Sequence, residues 1–298
     1  MDASANAKRT YSYEGSNESM NSVKQKLRDG KSVLGTFNFF DDPSVAEILG
    51  LARLDFLIID MEHSPRGFDR VENMVRAAEL VGLTALVRVP SGTETEINRA
   101  LETGARGIVL RMLENPEQVR QARTATLYPP DGQRGTCSAS RAARYTALRP
   151  RFAEYIRGAN DDVLLVGLIE SSTGVDNAAA IAAAGLDVIV VGRGDLSAAL
   201  GVPGENQNPA VLAMCNRVAE VAHSSEKTIF GSTASSQREI EDLTQLGCRM
   251  FIYRDDTSVL FEAFAKASDA FRNSLSSRPI AEGDVGPKPE FTRSLRVD

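Results

Sequence analysis

The chain has 298 residues, a formal net charge of −6, 42% hydrophobic and 25% charged residues, an ordinary globular composition with length for one large domain or two smaller ones. The acidic balance gives nucleic acid no electrostatic footing, and no basic cluster suggests a membrane surface. No apolar run approaches the roughly eighteen residues that a membrane span needs.

Residues 1–20, MDASANAKRTYSYEGSNESM, are polar and lack the apolar centre of a secretory signal, so they read as a flexible tail. From residue 21 to 273, short β-rich runs alternate with amphipathic ones. The expected strands are Val33–Phe39, Phe56–Asp60, Thr84–Val89, Gly107–Leu110, Leu164–Ile169, Val188–Val191, Thr228–Phe230 and Met250–Ile252. Helical periodicity falls at Arg70–Val81, Glu96–Thr103, Pro116–Leu127, Val175–Ala184, Pro209–His223, Gln237–Leu246 and Thr257–Ser274. Gly82, Gly104, Gly185 and Gly247 stand just past helix ends, where a glycine cap is expected.

Strands separated by helices make a parallel sheet, because parallel neighbours need crossover connections. At about 250 residues the alternating part suits a closed (β/α)8 TIM barrel better than an open sheet. The connection from Tyr128 to Pro150, with Pro129-Pro130-Asp131-Gly132 and Arg134, Arg141, Arg144 and Arg149, breaks the pattern and is expected to be a functional loop. Residues 274–298 read as a C-terminal extension. Cys137, Cys215 and Cys248 are odd in number and lack metal-type spacing, which fits reduced thiols in a cytoplasmic protein.

Barrel chemistry sits at the C-terminal ends of the strands. There the sequence delivers Asp60, Glu62 and His63 after "LDFLII", Arg88 in "TALVRVP", Glu170 after "LLVGLI" and Asp195 after "VIVVGRG", with Phe37 and Asn38 ending the first strand. Glu170 and Asp195 suit a hard divalent cation, Mg²⁺ or Mn²⁺ with Co²⁺ an open third, although Asp195 could equally be a helix N-cap. His63 is a candidate base that Asp60 would orient, against the plain alternative of a surface histidine. Arg88 is placed to neutralise an enolate or carboxylate oxygen, against that of a surface ion pair.

None of the seven lysines lies between Lys31 and Lys227 or ends a strand, so no Schiff-base lysine is expected. Neither PLP nor NAD is expected. Gly192-Arg193-Gly194 opens a G-x-G pattern, but Ser197 stands at the third glycine position.

The stretches "FLIIDMEHSP", "VRVPSG", "LYPPDGQRGTCSASRAARY", "GLIES" and "VGRGDLSAALGVPG" resemble the HpcH/HpaI aldolase family, from about Gly35 to Ala267. The resemblance implies a metal-dependent class II aldolase that reversibly cleaves a 4-hydroxy-2-oxo acid to pyruvate, or a related 2-oxo acid, and an aldehyde. It implies that Glu170 and Asp195 hold the metal and that Arg88 stabilises the enolate. It makes His63, with Asp60, the base at the aldol hydroxyl, and the Gly194 and Asp195 amides a carboxylate cradle. Phe37 takes the place of a tryptophan near the substrate. A homo-oligomer, trimer or hexamer, is also implied.

The chain departs from the family pattern at Leu110-Arg111-Met112, Leu168, Arg193 and Tyr253-Arg254-Asp255, and the added arginines point to a more anionic partner. A malyl- or citramalyl-CoA lyase, or an oxaloacetate decarboxylase, is the rival enzyme. The CoA form would use Arg111, Arg141, Arg144 and Arg254 as a basic lip. A non-catalytic 2-oxo-acid binder is the rival outside catalysis.

Overall fold

The computed structural model describes residues 21–276, so the tail expected over residues 1–20 and the extension beyond 276 lie outside the described residues. Eight parallel strands close into a barrel in sequence order: β1 Val33–Asn38, β2 Phe56–Asp60, β3 Thr84–Arg88, β4 Gly107–Leu110, β5 Leu164–Ile169, β6 Val188–Val191, β7 Ile229–Ala234 and β8 Met250–Asp255. The (β/α)8 barrel expected from the alternation is therefore the fold.

The helices are α1 Ser22–Arg28, α2 Pro43–Leu51, α3 Phe68–Leu80, α4 Glu94–Glu102, α5 Pro116–Thr126, α6 Phe152–Asp162, α7 Ser172–Asp176, α8 Ala178–Ala183, α9 Arg193–Ala199, α10 Pro209–His223, α11 Gln237–Gln245 and α12 Asp256–Ser276. None is long and apolar enough to cross a membrane among the described residues. The chain divides into two compact units at Asp256 and Thr257. Within the second, α12 carries exposed Phe261, Phe264 and Phe271.

Strand side chains alternate faces with period two, and the core obeys this closely. Val33, Phe56, Ile58, Leu86, Val109, Val166, Leu168, Val188, Val190, Met250 and Ile252 fill the barrel interior. Their neighbours in sequence, Leu57, Ile59, Ala85, Val87, Ile108, Leu165, Ile189, Val191 and Phe251, pack outward against the helices. The same parity continued one step past the last apolar interior residue reaches Asp60, Arg88, Arg111, Glu170 and Gly192. One alternation thus builds the dry interior and sets the chemistry on top of it.

The far end is closed by α1. Its Val23 and Leu27 belong to the interior cluster, and its two lysines pair with acids that begin strands. Lys24 Nζ lies 3.1 Å from Asp187, and Lys26 Nζ lies 2.5 Å from Asp55. Those acids also accept neighbouring strand amides, Leu165 N at 2.8 Å and Leu34 N at 2.7 Å.

The loop after α5 does not frame the mouth. Arg141 donates to Thr103 O and Glu79, each at 2.6 Å, and Ala142 N donates to Glu102 O at 3.3 Å. These groups end α3 and α4 and lead into the starts of β3 and β4, so this part of the loop lies at the closed end. Tyr128, Ala143 and Tyr155 form its own small core, with the Arg134 guanidinium 4.3 Å from the Tyr128 ring centre. Arg134 and Arg141 serve packing and capping here. Cys215 and Cys248 are buried and Cys137 is exposed, all as free thiols.

Candidate active site

β2 and β3 pair in a register that sets Asp60 beside Arg88. Both are buried, and the guanidinium forks onto the carboxylate, Nε to Oδ1 at 2.9 Å and Nη2 to Oδ2 at 2.6 Å. Burial pulls the Arg88 pKa down, but the hydrogen bonds and charge of Asp60, with Glu62, outweigh it and the net shift is upward. Arg88 is a fixed cation. The Phe37 ring lies 4.6 Å from its central carbon and covers one face.

Asp60 is thereby fully engaged, since it also accepts the Glu62 amide at 2.8 Å and the His63 amide at 3.4 Å. It shapes the turn that carries His63, but its carboxylate orients Arg88, not the imidazole. The carboxylate nearest the ring is Glu62, with Oε1 3.6 Å from His63 Nε2. The expected Asp60–His63 side-chain pair is therefore replaced by Asp60–Arg88 and Glu62–His63, because the strand register offers Asp60 a better donor at its own level. The His63 side chain is 55% exposed and open to a bound molecule.

Glu62 is a hub. Its Oε2 lies 3.2 Å from Arg88 Nη1, and its Oε1 is in close contact with Arg111 Nε. From the sequence Glu62 is either a group that orients cation-bound waters or a capped loop residue. Arg111 is a departure from the family pattern, and the parity Gly107, Val109, Arg111 aims it inward.

Across the barrel, Glu170 is 4% exposed and accepts the Met112 amide at 2.8 Å. Met112 has a positive φ of 46°, which turns the chain after β4 so that this amide faces Glu170. Burial, then the nearby negative charge of Asp195, push the Glu170 pKa up to about 7 against the pull of the Met112 amide. No arginine or lysine among the described residues pairs directly with Glu170. Gly192 is needed at the end of β6: a Cβ there would stand 2.7 Å from Glu170 Cγ and 2.8 Å from Oε1.

Asp195 is exposed, in the first turn of α9. It is not the helix cap, because the helix begins at Arg193 with Gly192 in the cap position. Gly194 faces open space, with no atom within 4 Å of a would-be Cβ.

A divalent cation fits this pair. A buried carboxylate beside a second acid, with no basic side chain in contact, is an arrangement that a cation relieves. Among the described residues no cluster of three His, Cys, Asp or Glu side chains is ready to hold a metal, so the protein offers two carboxylates and bound oxygens would supply the remainder.

The other marked residues are spoken for. Asn38 is buried and joins Asp256, at 2.7 Å, to Arg66, at 2.9 Å, so it bolts the end of β1 instead of facing a ligand. Arg193 is buried and donates to Thr233 O at 2.6 Å and Glu239 at 2.7 Å, which ties α9 to the end of β7. Arg254 Nε donates to Ser235 O at 2.8 Å. Arg141 lies at the closed end, so it is no part of a basic lip at the mouth.

A family model described as HpcH/HpaI aldolase/citrate lyase matches residues 34–260. A 5-keto-4-deoxy-D-glucarate aldolase of Shigella boydii is 31% identical over 255 residues, which span 83% of this chain and 97% of that one. A 2-dehydro-3,6-dideoxy-6-sulfogluconate aldolase of Pseudomonas putida is 36% identical over 189 residues, 63% of this chain and 72% of that one. The crystal structure of an HpcH/HpaI aldolase/citrate lyase family protein from Burkholderia cenocepacia J2315 superposes with a TM-score of 0.79 at 33% identity, covering 85% of this chain and 99% of its own. With the barrel, the family match and these relatives in agreement, the chain belongs to the HpcH/HpaI aldolase/citrate lyase family of enzymes that make and break carbon–carbon bonds.

Proposed function

We propose that this enzyme is a divalent-cation-dependent aldolase that reversibly cleaves a 4-hydroxy-2-oxo acid to pyruvate, or a close 2-oxo acid, and an aldehyde. The observation that carries the reading is the ring of interior-parity residues, in which a fixed cation, Arg88, faces a buried acid, Glu170, across a mouth that also holds an exposed imidazole. The relatives named as aldolases of oxidised deoxy sugar acids support the same substrate class.

Glu170 and Asp195 would hold the cation, Mg²⁺ or Mn²⁺, with Gly192 giving Glu170 room. When bound, the cation supplies Lewis-acid polarisation of the 2-oxo group. In the cleavage direction His63 takes the proton of the aldol hydroxyl, and the carbon–carbon bond breaks as that oxygen becomes the aldehyde carbonyl. The electron pair goes into the 2-oxo acid fragment, whose enolate oxygen gains negative charge beside Arg88. Asp60 holds the guanidinium in place throughout, so that no reorganisation is needed as charge develops. Reprotonation at carbon releases the 2-oxo acid. Phe37 excludes water from one face of Arg88, and Gly194 leaves the backbone of the first turn of α9 open to the substrate carboxylate. The family resemblance extends the reading to a homo-oligomer.

The test is proton exchange at the methyl group of pyruvate in D₂O, followed by NMR with and without Mg²⁺ or Mn²⁺. Cation-dependent exchange that disappears in Glu170→Ala is the expected result. Absence of exchange from well-folded protein with every cation overturns the proposal and turns attention to CoA thioesters, the rival class on the same fold.

A further inference from the structure

Arg111 stands out among the arginines of the mouth. Its parity follows Gly107 and Val109, and Val109 belongs to the barrel interior, so Arg111 rises above the dry core toward the axis. The next residue, Met112, donates its amide to Glu170, so the backbone that carries Arg111 also braces the acid proposed to hold the cation. The Arg111 side chain is 40% exposed, and Glu62 is the one side chain it pairs with among the described residues.

Arg88, by contrast, is locked by two bonds to Asp60, and Arg193 is buried on Glu239. The pair is open to water on the Arg111 side, 40% exposed against 11% for Glu62, so the guanidinium can change partner while the carboxylate stays in place. A guanidinium with further N–H groups facing water is suited to forked recognition of a carboxylate, sulfonate or phosphate.

Glu62 can release Arg111 without becoming an uncompensated buried charge. Its Oε2 remains 3.2 Å from Arg88 and its Oε1 3.6 Å from His63. We propose that Arg111 is a specificity-determining residue that reads an anionic group on the aldehyde partner, taking that group in exchange for Glu62. The inference rests on the aldolase reading above and deepens it: the enzyme selects aldehydes that carry a second, negatively charged group.

The experiment compares pyruvate addition to 4-oxobutanoate and to butanal, which have the same chain length but differ in charge, in the full-length enzyme with Mg²⁺ or Mn²⁺. The wild type is expected to favour the anionic aldehyde in kcat/KM. Arg111→Gln lowers that preference roughly thirtyfold, the size of one lost charge-assisted hydrogen bond. Arg111→Lys retains part of it, and Glu62→Gln, which removes the competing carboxylate, keeps or raises it even if its overall rate falls. Added KCl erodes the preference in the wild type but not in Arg111→Gln.

A ratio indifferent to Arg111, or no preference in the wild type, overturns the inference. Pyruvate methyl exchange by the wild type without aldehyde separates the two levels. Exchange with an Arg111-independent ratio sinks the inference alone, whereas no exchange removes the aldolase reading and the inference with it.

Discussion

The two ends of the barrel use the same residue types to opposite effect. At the closed end the acids that begin β2 and β6, Asp55 and Asp187, each take a lysine of α1 and the amide of a neighbouring strand. At the mouth, Glu170 takes one amide but meets a second acid, Asp195, where its counterpart below meets a lysine. Complementary charge consolidates a structure, and like charge left unresolved marks a place that a ligand completes. The contrast also separates stability from activity, because changes at the closed end should act on folding and changes at the mouth on turnover.

The largest effect is expected from Arg88→Lys. Lysine keeps the charge but loses the fork that Asp60 grips, so kcat should fall about a hundredfold or more with smaller change in KM. Steady-state kinetics on any accepted aldol substrate checks this, and a loss confined to KM would mean that Arg88 binds without stabilising charge in the transition state.

At the other end, Lys24→Ala takes the donor from Val163 O and the lysine charge from Asp187, which keeps only the Leu165 amide and the more distant Arg123, inside a largely buried site. Denaturant titration should show a loss of about 2–3 kcal/mol, while turnover per folded molecule is kept. Lys26→Ala, at a more exposed pair, should cost under about 1 kcal/mol. Equal losses would deny that burial distinguishes the two lysines.

Gly192→Ala tests the mouth from the backbone side. The methyl group displaces the Glu170 carboxylate, and cation affinity by isothermal titration is expected to drop about tenfold or more, with the melting temperature little changed. A variant that binds as tightly as the wild type would show that Glu170 is not the ligand.

A separate effect is one of pH. Glu170 titrates near 7 in the folded protein against an ordinary value of 4.5, so between those limits the folded state holds a proton that the unfolded chain has released. Stability of the cation-free protein should therefore fall as pH rises from about 4.5 to 7 and level off above. Thermal melts across that range should flatten in Glu170→Gln, and saturating Mg²⁺ should abolish the decline in the wild type.

Much of this was legible in the sequence because both core layers and the site obey one alternation. "FLIID" and "TALVR" declare apolar interiors, and their charged ends follow from the same count. What escaped was structure that alternation does not encode. α1 and α9 are short, α2 carries a weak apolar stripe, and α6, though amphipathic, follows directly on the irregular loop. β7 and β8 continue past the expected ends at Phe230 and Ile252, because Ser232, Thr233 and Arg254 hide a strand among polar residues. The helix expected over Val175–Ala184 is two helices, broken at Asn177, whose side chain reaches Glu114 O at 2.7 Å. Within the site, side-chain partners were the least legible feature. Asp60 lies three positions from His63 in sequence, yet Arg88, one strand away, holds the shorter and better-aligned bonds.

The helix that closes the barrel also sets an order of events. Lys24 reaches Val163 O, a partner 139 residues later in the chain, and then Asp187 beyond it. As the chain leaves the ribosome, α1 has nothing to close until β5 and the start of β6 have emerged, so the first of the described elements is seated late. Contacts of such long separation slow folding and leave Val23 and Leu27 uncovered in the meantime. A nascent chain halted before Asp187 should be far more vulnerable to protease at α1 than one carried past β6.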